Sequence, residues 1–170
     1  MSFLVVASVQ DSLQALNRVV SLLRGRHFQV KSITSARSER PNVARLSIVV
    51  DESQPRPHRV ASNLEKLEEA WSVSAVDAAD VVCRAVALVK LDESIVPAEV
   101  LRAALESGAS HLVDRTSETL ILELFGTPQD LDRMIASFPP EGVIEIARPG
   151  EIVMSRGASP TSDATAPRPT

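Results

Sequence analysis

The sequence predicts an α+β protein: two ferredoxin-like βαββαβ units in tandem, at residues 1–78 and 79–157, followed by a disordered tail at 158–170. Three observations carry this prediction. Strand-length apolar or alternating runs are interrupted by two amphipathic helical stretches in each half, in the same order both times. The order repeats although the residues do not, so the repeat is one of pattern. Beyond Gly157 the chain reads ASPTSDATAPRPT, too small and polar to offset the entropy of ordering.

In the first unit, Phe3–Val9 is an apolar run bounded by Gln10-Asp11-Ser12, which predicts a buried strand. Asp11 or Ser12 can cap the helix that follows by accepting from its free N–H groups. Leu13, Leu16, Val20 and Leu23 recur at steps of three and four and define one face of that helix. Gly25 lies near its end, where a left-handed residue costs least. Phe28, Val30, Ser32 and Thr34 alternate with Gln29, Lys31 and Ile33 as a second strand, and polar residues 35–42 form a hairpin loop. Val43–Val50 is a third strand with Leu46, Ile48 and Val50 on one side. After a loop marked by Pro55 and Pro57, Val60, Leu64 and Leu67 predict a second helix, and Trp71–Val76 closes the unit.

The second half runs likewise. Cys83–Leu91 is a strand, and Ser94, Val96 and Pro97 open a helix through Val100, Leu101 and Leu105 that ends at Gly108. His111–Arg115 and Thr119–Phe125 are strands around a short turn. Thr127 caps a helix through Leu131, Met134 and Ile135, Pro139-Pro140 breaks the chain, and Val143–Ala147 is the last strand. In a ferredoxin-like unit two helices cover one face of the sheet, and the other face needs a partner or water.

Hydrophobic residues make up 44% of the chain but aromatic residues only 3%, without a tyrosine, so the cores must rest on Val, Leu, Ile and Ala. So few aromatics argue against base-stacking nucleic-acid modules, and a net charge of −4 argues against a general polyanion binder. The single cysteine, Cys83, excludes an internal disulfide and a cysteine metal cluster, which suits a reducing cytoplasm. No apolar stretch approaches the roughly 18 residues of a membrane span, and the amino terminus is expected to be a strand rather than a signal peptide.

Catalytic patterns are absent. There is neither a G-x-x-x-x-G-K-[ST] nor a G-x-G-x-x-G sequence. His27, His58 and His111 are isolated in sequence, so ligand spacing gives no support for a metal site. Cys83 opens a strand and reads as a structural thiol rather than a nucleophile. Glu65, Glu68 and Glu69 read as a solvated helix face. Arg18, Arg24, Arg26, Arg37, Arg40 and Arg45 read as solubility and local pairing in preference to a phosphate or RNA patch. No catalytic residue and no metal ligand is expected in this chain.

With this order in hand, the first unit resembles an ACT domain, and the chain to about Gly157 resembles the regulatory (small) subunit of acetolactate synthase, also called acetohydroxyacid synthase. The matching stretches are Ala15-Leu16-Asn17-Arg18-Val19, Leu23 to Arg26, Ser32-Ile33-Thr34 and Arg45-Leu46-Ser47-Ile48, then Leu88-Val89-Lys90, Asp114, Thr116, Gly126-Thr127, Leu131-Asp132, Ile146-Ala147-Arg148 and Met154-Ser155-Arg156-Gly157. The resemblance implies a non-catalytic partner of a large catalytic subunit. Thiamine diphosphate, Mg²⁺ and FAD would belong to that subunit and no cofactor to this chain. It also implies activation of that subunit, a homodimer through the ACT domains, and feedback by a branched-chain amino acid, usually valine. The effector would lie between two ACT domains, against Asp11, Leu13, Gln14, Ala15 and Leu16 of one chain and Gln29, Val30 and Lys31 of its neighbour, with Arg24-Gly25-Arg26 turning the chain toward that place.

The sequence departs from the family where the effector would sit. Asp11 stands where the family usually has Asn, Gln14 where it has Gly, and Gln29 where it has Asn. Gln14 fills space that a glycine leaves open, and the charge of Asp11 either repels the effector's carboxylate or grips its ammonium. Valine is therefore expected to bind with a Kd on the order of 1 mM or weaker, and Gln14→Gly with Asp11→Asn to tighten it about tenfold. Two other readings stay open: a free-standing amino-acid-binding ACT protein that regulates another enzyme or a transcription factor, and a small enzyme on the same scaffold.

Overall fold

The first helix begins where a side chain replaces a missing backbone partner: in the computed structural model Ser12 Oγ accepts the Ala15 N–H at 3.1 Å. The structure describes residues 2–51, 58–77 and 79–162. The loop containing Pro55 and Pro57 lies outside them. The chain divides into two units, one formed by Met1–Val82 with the chain from Ile152 onward, the other by Cys83–Glu151.

In the first unit the elements are β1 (Ser2–Gln10), α1 (Leu13–Gly25), β2 (Val30–Arg37), β3 (Val43–Asp51), α2 (Arg59–Leu64) and β4 (Ala70–Val76). The strands make one antiparallel sheet in the order β2-β3-β1-β4. Cross-strand partners share a face, so Val5, Ala7 and Val9 line up with Ile48, Leu46 and Ala44 beneath the helices. These pack with Val19 and Leu23 of α1 and Val60 and Leu64 of α2.

Four features of this unit differ from the sequence reading. The buried face of α1 is Ala15, Val19 and Leu23 rather than the stripe through Leu13 and Val20, which are exposed. Ala15 is small enough to bring the helix onto the sheet, and that fixes its rotation. β2 runs on through Arg37, so the hairpin loop is shorter: Asn42 takes a left-handed turn and the Ser38 N–H bonds the Val43 carbonyl at 2.9 Å. α2 stops at Leu64, with Leu67 in the turn that follows.

The fourth is the close of α1. Its left-handed residue is His27, at φ 57°, and not Gly25. The Phe28 N–H reaches the Leu23 carbonyl and the His27 N–H the Arg24 carbonyl, both at 3.0 Å, which is a Schellman closure. A histidine there carries the steric cost that glycine avoids. His27→Gly is expected to raise the stability of this unit by about 1 kcal/mol, read from the urea midpoint at constant slope.

The other face of this sheet is also largely buried: Leu4, Val6, Ser8, Val43, Ser47 and Val49 lie on it. The chain from Ile152 returns to this face. Arg45 Nη2 donates to the Val153 carbonyl at 2.6 Å, and Ser162 Oγ lies 2.9 Å from Ser8 Oγ. Thr161 is 5% exposed, and its Oγ1 accepts the Ser155 N–H at 2.7 Å. Thr161 and Ser162, within the stretch 158–170 expected as a tail, thus have hydrogen-bond partners on their own unit. Residues 163–170 lie outside the described ones.

The second unit holds β5 (Val81–Asp92), α3 (Ala98–Glu106), β6 (Ser110–Arg115), β7 (Thr119–Gly126), α4 (Pro128–Ala136) and β8 (Val143–Ala147), with strand order β6-β7-β5-β8. A ninth strand, β9 (Glu151–Ser155), which the sequence reading missed, pairs with β5. Ala87, Val89, Leu91, Leu120, Leu122 and Leu124 form the core with Leu131 of α4. α4 starts in a capping box, Thr127 Oγ1 accepting the Asp130 N–H while the Asp130 carboxylate accepts the Thr127 N–H.

Candidate functional site

The first unit contains a cavity of about 260 Å³ lined by Val9, Gln10, Asp11, Ser12, Leu13, Leu16, Ser35, Arg37, Ala44 and Leu46. The register explains why it is there. Val9, Ala44 and Arg37 form one row across β1, β3 and β2 on the helix face, and Leu46 and Ser35 belong to the next. Ala44 and Ser35 are small, and the first turn of α1 stands above them, so space remains between sheet and helix. Its floor is apolar. Its rim carries Leu13, 85% exposed although it is a leucine, and an ion pair.

That pair joins Arg37 Nε to Asp11 Oδ2 at 3.2 Å. Because Ser12 takes the capping role, the Asp11 carboxylate is left to face β2. Of the other arginines, Arg18 pairs with Glu69 at 2.9 Å and Arg45 holds the Val153 carbonyl. Burial lowers the pKa of Arg45, an effect that the charge of Glu39 opposes.

Asp11, Leu13 and Leu16 are therefore brought together in one cavity. Ala15 is buried beneath them, and Gln14 is exposed and is not one of the lining residues. Gln29, Val30 and Lys31 lie at the opposite end of the sheet, where the Asp51 N–H meets the Gln29 carbonyl at 3.1 Å and Lys31 lies 3.8 Å from Asp51. The seven steps from Val30 to Arg37 separate the two groups by roughly 20 Å. Sequence reasoning missed Val9, Gln10, Ser35, Arg37, Ala44 and Leu46. Continuing the alternation Ile33-x-Ser35-x-Arg37 past Thr34 was the signal that could have found two of them.

Elsewhere the titratable groups have local roles. His58 packs edge-on against Phe3 with ring centres 4.7 Å apart, and His111 lies 3.5 Å from Glu123. Among the described residues no group of three or more His, Cys, Asp or Glu could hold a metal ion, and no helix is long and apolar enough to cross a membrane. Cys83 is half-buried, and its thiol donates to Glu151 at 3.2 Å. Burial, then the hydrogen bond and charge of Glu151, push this thiol up from 9.0 to about 12, against a smaller opposite effect of Arg84. Alkylation of Cys83 at pH 8 is expected to be slower than that of a free thiol by roughly a hundredfold or more, since the thiolate is the nucleophile. A raised pKa favours the neutral thiol in the folded state. Its contribution to stability is complete below pH 9 and is lost as pH rises toward 12.

Two halves of the chain match known families: residues 11–73 the ACT domain, and residues 84–157 the small subunit of acetolactate synthase. The chain belongs to the acetolactate synthase small-subunit family. The acetolactate synthase small subunit of Mycolicibacterium smegmatis is 28% identical over 149 residues, 88% of each chain. The isozyme 3 small subunit of Escherichia coli is 28% identical over 84% of this chain and 88% of its own. The crystal structure of the acetolactate synthase small subunit from Thermotoga maritima superposes with a TM-score of 0.84 at 27% identity, covering 94% of this chain and 99% of that one. As a small subunit the chain is regulatory and not itself catalytic, and the two ferredoxin-like units of the sequence reading are those of the family.

Proposed function

We propose that the chain activates an acetolactate synthase catalytic subunit, which holds thiamine diphosphate, Mg²⁺ and FAD and condenses two 2-oxo acids in the cytoplasm. Feedback then comes from a branched-chain amino acid at the cavity beside Asp11. The observation that supports this reading most strongly is the tandem order, an ACT module followed by the small-subunit module over most of the chain. An amino-acid-sensing role suits a cavity with an apolar floor and a charged rim, slightly below the roughly 300–1,000 Å³ of sites for larger ligands.

The site would be completed by a second copy. Asp11 to Leu16 and Gln29 to Lys31 stand at opposite ends of one sheet, and a two-fold axis places the second group of one chain beside the first group of its partner. Reconstitution tests the whole reading. Added to the catalytic subunit from the same source, this chain should raise acetolactate formation several-fold and co-purify with it, and Ala44→Leu, which fills the cavity floor, should keep activation and lose valine sensitivity. Co-purification with an unrelated enzyme or a transcription factor, without activation, would favour a free-standing ACT protein.

A further inference from the structure

We infer that Asp11 and Arg37 together recognise a zwitterion: Arg37 takes the α-carboxylate and Asp11 the α-ammonium of an aliphatic α-amino acid, which replaces their mutual ion pair. This rests on reading the cavity as the effector site, and it assigns to Arg37 a role that the sequence reading gave to no residue of β2 beyond Lys31.

The geometry supports an exchange. Both side chains line the same cavity and touch at 3.2 Å through Arg37 Nε, one of five guanidinium donors. The fork of the two Nη groups is the part of an arginine that fits a carboxylate bidentately. The Arg37 side chain is 89% exposed, and an exposed pair of this kind is weak and screened by salt, so it yields readily to a better partner.

Charge is conserved in the exchange. One cation and one anion of the protein meet one anion and one cation of the ligand, so no uncompensated charge enters the cavity. An isolated carboxylate at position 11 would repel the effector's own. Beside Arg37 it becomes half of a matched pair. The apolar floor of Val9, Ala44 and Leu46, with Leu13 and Leu16 at the rim, then receives the branched side chain.

Titration of the full chain with L-valine, L-valinamide and 3-methylbutanoate, followed by NMR, tests this. Arg37→Gln should weaken valine at least tenfold while valinamide, which has no carboxylate, binds the variant at least as well as the parent. Arg37→Lys should retain part of the affinity. Asp11→Asn, expected from the sequence alone to help valine, should instead weaken it at least tenfold and should not weaken 3-methylbutanoate. Unaltered thermal unfolding of Arg37→Gln shows that the loss is local. Unchanged valine binding by Arg37→Gln, or tighter binding by Asp11→Asn, overturns the inference and leaves the cavity an effector site of another kind. Failure of valine, leucine and isoleucine to bind the parent chain rejects the effector site itself, and this inference with it.

Discussion

Val153→Lys is expected to destabilise the first unit by about 3 kcal/mol or more, because it takes an ammonium out of water. Val153 is 1% exposed, and its carbonyl accepts from Arg45, a guanidinium whose pKa is already lowered by burial. A second cation there adds repulsion to desolvation. Val153→Ala, which removes only apolar contact, should cost less, about 1–2 kcal/mol. Trp71 lies in β4, so its fluorescence during urea unfolding reports on this unit. A parent-like midpoint for Val153→Lys would mean that the returning segment contributes nothing to the face it lies on. Truncation after Gly157 bears on the same face: losing Thr161 and Ser162 leaves the Ser155 N–H and the Ser8 hydroxyl without their partners and should cost about 1–3 kcal/mol.

The returning segment also shows what the sequence could convey. Strands such as Val43–Asp51 were legible because alternation and length agree and a proline-asparagine turn marks the start. Glu151–Ser155 is apolar at Ile152-Val153-Met154, but five residues before a proline-rich stretch carry no sign of which sheet they join. Burial of Thr161 depends on a partner at position 155 and on the sheet face beneath, and composition encodes neither. In α1 the apolar positions fit two helix faces, and the tight fit of Ala15 against the sheet decided between them.

The candidate site was legible in half. Asp11, Leu13 and Leu16 were reached through the resemblance to the family, which implies an effector at this strand-to-helix junction. Arg37 is brought to the same cavity by register: its partner across β3 is Ala44, whose own partner on β1 is Val9. Sequence distance hides such rows until the hairpin length is fixed, and with Ser38 and Asn42 in the turn the strand ends three residues later than polarity suggests. Gln14 is the opposite case. It looked obstructive in sequence, yet it is exposed and is not among the residues that line the cavity.

A second copy is the basis of the other large effect. Asp11→Ala with Arg37→Ala in one preparation, and Gln29→Ala in another, should each lower valine affinity at least tenfold. Unfolding the two together and refolding them as a 1:1 mixture should restore parent-like affinity to about a quarter of the sites, because half of the randomly assorted dimers are mixed and each mixed dimer has one site free of substitutions. Such recovery requires only the separation of the two groups along one sheet and a two-fold axis that brings them together. A site built within one chain predicts no recovery on mixing, since every copy carries a defect. A monomeric mass by light scattering at micromolar concentration would exclude the shared site before any titration. Recovery near a quarter, absent when the preparations are mixed without refolding, would place residues 11–16 and 29–31 in one pocket contributed by two chains.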